Sequence, residues 1–233
     1  MLKSLSIGGM KMKKVLKTLL LAIMLCVLTF TMTGCGEEEE TQNQEPSQQQ
    51  EQENVSENEE SNNENFSRGE WNDNQYNNEF AKITFNLPEG WVKATDEQIA
   101  EMMNVGVEML NEDQQQVAEL SEQTMVYGMV ANNPNDNSNI SITLEKPILT
   151  VTPEYYLTSV KQQLEALSSM QYTVGEQYEV DIAGESYIAV DAEVEGYGVC
   201  QSYYVKSEGD YIIGIIITAF NRDQVDEILT HFE

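Results

Sequence analysis

Cys35 is the residue whose position points most directly to chemistry. It ends the tetrapeptide Met32-Thr33-Gly34-Cys35 and follows an apolar run from Leu19 to Phe30, which itself follows five lysines. A basic head, a short apolar stretch and small residues before a processing point are typical of an export signal. The run is shorter than the roughly 20 residues that a membrane-spanning helix needs.

A cysteine directly after Thr-Gly resembles the site at which bacteria attach a diacylglyceryl group before cleaving the chain. We therefore expect Cys35 to be the first residue of the mature protein and to carry acyl chains such as palmitate. Each buried methylene contributes about 0.8 kcal/mol, so two or more chains hold a protein lastingly where one is marginal. The alternative is a cleaved, freely secreted protein. Residues 4–9 are unusually polar, so the true start is Met1, Met10 or Met12.

Catalytic chemistry finds little support elsewhere. His231 is the only histidine, and Cys200 is the only cysteine left once Cys26 leaves with the signal and Cys35 is lipidated. This composition argues against zinc sites and against nucleophiles that need a histidine base. We predict His231 in the last turn of a helix, where a charged imidazole complements the dipole. We predict Cys200 as a small buried hydrophobe in a strand.

Weaker patterns define the remaining candidate sites. Asp191 and Glu193 form a carboxylate pair on one strand face, although 29 acids after residue 67 favour a solvated surface. The loop Asn135–Asn139 has side chains suited to calcium but lacks the Asp-x-Asp-x-Asp-Gly frame, so a plain turn is favoured. Methionines that line either a groove or a core are Met102, Met103, Met109, Met125 and Met129. Tyrosines that form either an aromatic binding face or ordinary strands are Tyr127, Tyr187, Tyr203 and Tyr204.

The charge excludes some partners. The formal net charge is -28, and removing residues 1–34 takes away five of the twelve bases and no acid, which leaves -33. A polyanion of this kind is repelled by nucleic acid and by anionic lipid headgroups. Its main effect is solubility and distance from the envelope. We expect a monomer that binds no nucleic acid, uses no cofactor and holds no defined metal.

Composition divides the chain into three parts: the signal at 1–34, a segment at 35–67 and a domain at 68–233. The middle segment is almost entirely Glu, Gln, Asn and Ser, with Val55 and Phe66 as its only large apolar side chains after Cys35. Such a sequence cannot bury enough apolar surface to offset the entropy of ordering, so we predict a disordered tether. A flexible coil of this length spans about 30 Å.

Periodicity in the first half of the domain predicts strands and two helices. A hairpin lies between Trp71 and Tyr76, and a strand contains Phe80, Ile83 and Phe85. The Thr95 and Gln98 spacing is that of a capping box, so a helix should run over 96–110. Strands follow at 124–132 and 140–146. The next helix begins at Thr152-Pro153-Glu154, and its apolar stripe is Leu157, Val160, Leu164 and Leu167.

The second half predicts four strands joined by short hairpins and a terminal helix. One strand presents a single apolar face, and it turns at Ala183-Gly184 into a strand with Ile188, Val190, Ala192 and Val194. Residues 211–220 are apolar at nearly every position, which indicates a central strand covered on both faces. The single apolar face of the first strand consists of Tyr172, Val174, Tyr178, Val180 and Ile182. The stripe of the terminal helix is Val225, Ile228, Leu229 and Phe232.

These elements predict an α+β fold, a central mainly antiparallel sheet with helices on both faces. Two segments carry a resemblance to the PsbP-like fold: Phe80 through Leu87-Pro88-Glu89-Gly90-Trp91, and Tyr211-Ile212-Ile213-Gly214 through Ile228-Leu229-Thr230-His231-Phe232. That family includes a photosystem subunit and many bacterial lipoproteins. The resemblance implies a non-enzymatic binding or assembly module, and no functional residues transfer with it.

Two functions follow as hypotheses. The first is a lipid-anchored domain outside the cytoplasm, on the cell membrane, that binds an envelope protein without catalysis. The second is a receptor for a ligand or cation, such as calcium, a sugar or a peptide, that uses the acidic surface or a tyrosine-lined cleft.

Overall fold

The computed structural model describes residues 66–101, 125–167, 171–194 and 196–233. Cys35, the signal and nearly all of the predicted tether lie outside these residues. Residues 96–101 are helical, and the rest of the helix predicted over 96–110 lies outside the described part. The strands are β1 (Glu70–Asn72), β2 (Gln75–Asn78), β3 (Ile83–Asn86), β4 (Val92–Lys93), β5 (Met125–Asn132), β6 (Asn139–Glu145), β7 (Tyr172–Val174), β8 (Tyr178–Ile182), β9 (Glu185–Val194), β10 (Val199–Glu208) and β11 (Tyr211–Ala219). The helices with both ends described are α1 (Pro153–Ala166) and α2 (Arg222–Leu229).

The main sheet is antiparallel and has β11 near its centre. Its order is β4-β5-β6-β11-β10-β9-β7, and β8 also pairs with β9. All nine residues of β11 are buried. A strand with no exposed position needs cover on both faces of the sheet, and this confirms the prediction for residues 211–219. Phe220, which the predicted run included, follows the strand and is exposed.

The two helices supply that cover from opposite sides. On α1, Leu157, Val160 and Leu164 are buried in a cluster with Tyr203 of β10. On α2, Val225 and Ile228 pack in a separate cluster on the other face, which also holds alternate residues of β11. Full burial of a large aliphatic side chain contributes about 1.5–3 kcal/mol, so each stripe stabilises its helix on the sheet. The predicted α+β architecture is confirmed.

A three-stranded sheet, β1-β2-β3, extends the cluster beneath α2. The chain after α2 closes against it: the His231 carbonyl accepts a 2.9 Å hydrogen bond from Asn86 N, and Glu233 N donates to Thr84 O at 3.1 Å. The helix ends at Leu229, and Phe232 instead bridges to Phe85 of β3. The predictions that placed Phe232 on a helical stripe and His231 in a helical turn were therefore wrong.

The single strand predicted to run from Tyr172 to Ile182 is in fact two strands, β7 and β8. Their apolar side chains lie on opposite faces of the sheet. Val174 of β7 pairs with Ala192, whereas Tyr178 of β8 pairs with Ala189, which is one residue out of continuous register. A slip of one residue moves every following side chain to the other face. Tyr172 and Val174 accordingly pack on the α1 side, and Tyr178, Val180 and Ile182 pack on the α2 side.

Local signals place the ends of the elements. The Thr95 hydroxyl accepts from Gln98 N at 3.3 Å and the Gln98 side chain accepts from Thr95 N at 2.9 Å, which confirms the capping box. Thr152 caps α1 through Tyr155 N. Ala183 and Gly184 both have positive φ, as the tight turn between β8 and β9 requires. Phe80, by contrast, lies in the turn before β3 and was wrongly placed in the strand.

The two residues that we assigned to the end of the tether contact the domain. Phe66 stacks on Tyr211 with ring centroids 4.8 Å apart and meets Phe80 edge-on at 5.5 Å. The Ser67 carbonyl accepts from Asn78 Nδ2 at 3.0 Å. These contacts fix the chain where it enters the domain, beside the turn between β10 and β11.

Candidate functional site

Five polar side chains from four elements converge on the α2 side of the sheet. We call them the Arg222 cluster: Tyr178 of β8, Asp191 of β9, Ser202 and Tyr204 of β10, and Arg222 of α2. Asp191 and Ser202 are direct cross-strand partners, and alternation along β10 puts Tyr204 on the same face. Arg222 is the first residue of α2, directly after the Asn221 cap, so its side chain reaches the cluster from the helix packed on this face of the sheet.

Asp191 is the centre of the cluster. Its Oδ1 accepts from Arg222 Nη1 at 2.6 Å and from the Ser202 hydroxyl, and its Oδ2 accepts from the Tyr178 hydroxyl at 3.1 Å. Arg222 also donates from Nη2 to the Tyr204 hydroxyl at 3.4 Å and from Nε to Asp226 at 2.9 Å. Both carboxylate oxygens are therefore occupied. The Asp191 side chain is still 34% exposed, and Glu193 is exposed, so both carboxylates contact solvent while Asp191 is also bound within the cluster.

The electrostatics of the Arg222 cluster do not favour proton transfer near neutral pH. Burial, with the Asp191 charge nearby, raises the pKa of Tyr178, and burial raises the pKa of Tyr204. Both phenols therefore stay protonated and act as hydrogen-bond partners. Side chains that stay in one protonation state position a charge and hold elements together, and they are poorly matched to general acid-base work.

Cys200 lies two residues before Ser202 and is buried, with 8% of its surface exposed. Burial, with the Asp191 charge, raises the pKa of its thiol. The thiolate is the reactive form, so both effects suppress reactivity. The prediction that Cys200 is a small buried hydrophobe is confirmed.

We expect Cys200 to react with a disulfide reagent at least about tenfold more slowly in the native protein than in urea, because access and thiolate fraction both fall on folding. The measurement follows absorbance with full-length Cys26→Ala/Cys35→Ala protein, in which Cys200 is the sole thiol. Adding Cys200→Ala gives the blank. A matched protein with Cys200→Ala and Ser186→Cys, at an exposed strand position, should react at a similar rate in both solvents. A native Cys200 as fast as that control contradicts the expectation.

A second titratable group lies on the α1 side of the sheet. Glu145 ends β6 between Met125 and Ile212, is 3% exposed, and accepts a 2.9 Å hydrogen bond from the Tyr156 hydroxyl of α1. Burial raises the pKa of this carboxyl to about 7, against the opposing effect of the Tyr156 hydrogen bond. No sequence pattern singled out Glu145, because its burial depends on the helix packed above it.

The tyrosines and methionines do not form common surfaces. Tyr127 and Tyr203 belong to the cluster on the α1 side, whereas Tyr187 and Tyr204 belong to the cluster on the α2 side, and none is more than 8% exposed. Of the two alternatives, the structure favours ordinary strand tyrosines over an aromatic binding face. Met125 and Met129 are likewise split between the two sides, and the other three methionines lie outside the described residues.

The Asn-rich loop between β5 and β6 is a turn held by its own side chains. Asp136 Oδ1 accepts from both Ser138 N and the Ser138 hydroxyl, and Oδ2 accepts from Gln224 Nε2 of α2 at 3.1 Å. Since both oxygens are occupied, the structure favours the plain turn over calcium ligation. Within the described ranges no three or more His, Cys, Asp or Glu side chains gather closely enough to hold a metal ion.

Comparison with known proteins adds information on the fold alone. No protein-family model matches the sequence, and a search of curated proteins returned no match. The chain is similar to the solution structure of cyanobacterial PsbP (CyanoP) from Synechocystis sp. PCC 6803, at 12% identity over 68% of this chain and 90% of that chain, with a TM-score of 0.42. It is also similar to LpqN, involved in cell envelope biogenesis of Mycobacterium tuberculosis, at 13% identity over 64% and 77%, with a TM-score of 0.34.

At these TM-scores neither protein's role is transferred to this chain. Among the helices of the described residues, none combines the length and the apolar content that crossing a bilayer takes.

Proposed function

We propose that this chain is a lipoprotein, anchored outside the cytoplasm through acyl chains on Cys35, whose domain binds an envelope component without catalysis. The observation that carries the proposal is the order of basic head, apolar run and Met32-Thr33-Gly34-Cys35. A lipid anchor localises a protein lastingly when two or more chains insert together. The acidic segment that follows Cys35 then holds the domain away from anionic headgroups.

The chemistry of the domain supports binding over turnover. In the Arg222 cluster the charged groups satisfy one another, and the shifted pKa values of Tyr178 and Cys200 move away from neutrality. Burial raises the pKa of Glu145 to about 7, and this carboxyl is buried beneath α1. A general acid or base has to reach a substrate proton, so this carboxyl is badly placed for catalysis. The receptor alternative loses the aromatic cleft on which it partly rested.

Cys35→Ala should abolish lipid attachment and release the chain from the membrane fraction, because the thiol is the attachment atom. The measurement is intact mass of the purified protein together with membrane fractionation. Cys26→Ala is the matched control, since it removes a thiol from the same segment without touching the attachment site, and it should leave the mature mass unchanged. A wild-type chain whose Cys35 is unmodified, or which is cleaved elsewhere, overturns the anchor.

A further inference from the structure

The two edges of the main sheet differ in how they are covered. At the first edge, β4 pairs with the end of β5, Ala94 N donates to Val130 O at 2.9 Å, and Gly128 lies against Tyr76 and the Arg68 carbonyl. At the second edge, β8 pairs with β9 alone among the described strands. No described loop forms a backbone hydrogen bond to residues 178–182. As far as the described residues go, the outer backbone edge of β8 is therefore free to pair with another strand.

Side chains along this edge alternate in chemistry. Glu179 and Asp181 are exposed on one side, whereas Tyr178 and Val180 are half-buried and Ile182 is buried on the other. The second set packs against the core on the α2 side, so an added strand would extend an existing apolar surface. The same strand would meet two carboxylates on its opposite face. This alternation follows from the register offset that separates β8 from β7.

We propose that the β8 edge binds an extended polypeptide segment in which basic residues alternate with apolar ones, as an added strand. The proposal rests on the proposed function and names its partner chemistry. Main-chain hydrogen bonds supply affinity in strand addition, and alternate side chains supply specificity. Basic residues opposite Glu179 and Asp181 form favourable cross-strand pairs, whereas acidic residues there are unfavourable.

Charge selects this occupant over a second copy of the chain. Pairing of β8 with another β8 would bring the carboxylates of Glu179 and Asp181 near those of their copies, which is destabilising. Residues 68–233 carry 29 of the 40 acids and 7 of the 12 bases, so the whole domain attracts a basic segment. Lys161 Nζ, on α1, lies 3.7 Å from Glu176 Oε1. Glu179 and Asp181 form no ion pair with any described residue, so both carboxylates can pair with a basic segment.

The test uses the full-length chain in detergent with a glycine-flanked peptide Val-Lys-Val-Lys-Val, labelled for fluorescence anisotropy. Its core reads the same in both directions, so it samples parallel and antiparallel pairing. We expect saturable binding, with amide exchange in residues 178–182 slowed at least about tenfold. The peptide with Glu in place of Lys, and the peptide N-methylated at all five residues, should not bind.

Glu179→Lys/Asp181→Lys should weaken the affinity for the lysine peptide at least about tenfold, because two favourable pairs become repulsive. Glu165→Lys/Glu227→Lys is the matched control: it changes the charge equally at exposed helical positions and should alter affinity less than about twofold. The proposal is overturned if the lysine peptide does not bind, if the N-methylated peptide binds, or if both variants weaken binding equally. It is also overturned if the slowed amide exchange lies outside residues 178–182, or if the native protein dimerises through this edge. If Cys35 is lipidated but the peptide does not bind, the strand-addition proposal fails and the lipid anchor stands. If the peptide binds but Cys35 is unmodified, the lipid anchor fails and strand addition stands.

Discussion

Glu145→Gln is expected to stabilise the protein by on the order of 3 kcal/mol at pH 8 and to change its stability little at pH 4.5. Burial raises the pKa of Glu145 from 4.5 to about 7 in the folded protein. The folded state therefore binds this proton more tightly than the unfolded state. The resulting stability is present in full below about pH 4.5 and is lost as the pH rises to about 7.

Urea unfolding at several pH values measures this effect. The difference in the free energy of unfolding between variant and wild type should grow from pH 4.5 to 7 and then stay constant, because other carboxyls cancel in the difference. Glu227→Gln, at an exposed position of α2, is the matched control and should show no such growth. A flat difference for Glu145→Gln contradicts the expectation. Tyr156→Phe should extend the rise to higher pH without moving its start near pH 4.5, since the hydroxyl stabilises the carboxylate only in the folded state.

Gly128→Ala is expected to lower the free energy of unfolding by about 2–4 kcal/mol. A Cβ at Gly128 would clash with the Tyr76 hydroxyl and come within 3.0 Å of the Arg68 carbonyl. Tyr76 is fully buried, and its hydroxyl donates to that carbonyl at 2.6 Å and accepts from Asn78 Nδ2 at 3.1 Å. The methyl group can fit only if this buried hydrogen-bonded group moves.

Gly175→Ala is the matched control for this experiment. A Cβ there meets only the Asp191 carbonyl, at 3.4 Å, so the change should be small or stabilising by about 0.4–1 kcal/mol through the unfolded chain. The change in stability of each variant is measured as the shift in its denaturant midpoint, provided that the dependence of unfolding free energy on denaturant is unchanged. Tyr76→Phe removes the clashing oxygen, so the double variant should be less destabilised than the sum of the single changes. Additive losses would contradict the steric explanation.

Sequence reasoning succeeded where the information is local. The capping box at Thr95, the turn at Ala183-Gly184 and the apolar run of β11 each depend on neighbours within a few residues, and each was predicted. It failed where one residue changes the outcome: the offset between Val174 and Tyr178 reverses the facing of β8. Residues 175–177 contain a glycine, but strand alternation resumes after it, so the pattern gave no sign of a slip.

The Arg222 cluster could not be predicted for a related reason. Asp191 and Arg222 lie on separate elements, and nothing in the spacing of 29 acids and 7 bases selects this pair. For the four tyrosines, by contrast, the sequence did hold the needed information. Strand alternation alone places the neighbours Tyr203 and Tyr204 on opposite faces of the sheet. The hypothesis of an aromatic face, which stood beside that of ordinary strand tyrosines, counted residue types and left out which side of the sheet each occupies.

The pairing of residues 231–233 with β3 has a consequence for when the domain can fold. Residues 84–86 and their partners, residues 231–233, lie near opposite ends of the described domain. Contacts of such long sequence separation form late and slowly. The contact between β3 and residues 231–233 should therefore form only after the intervening strands have assembled, so it closes a domain that is already largely folded.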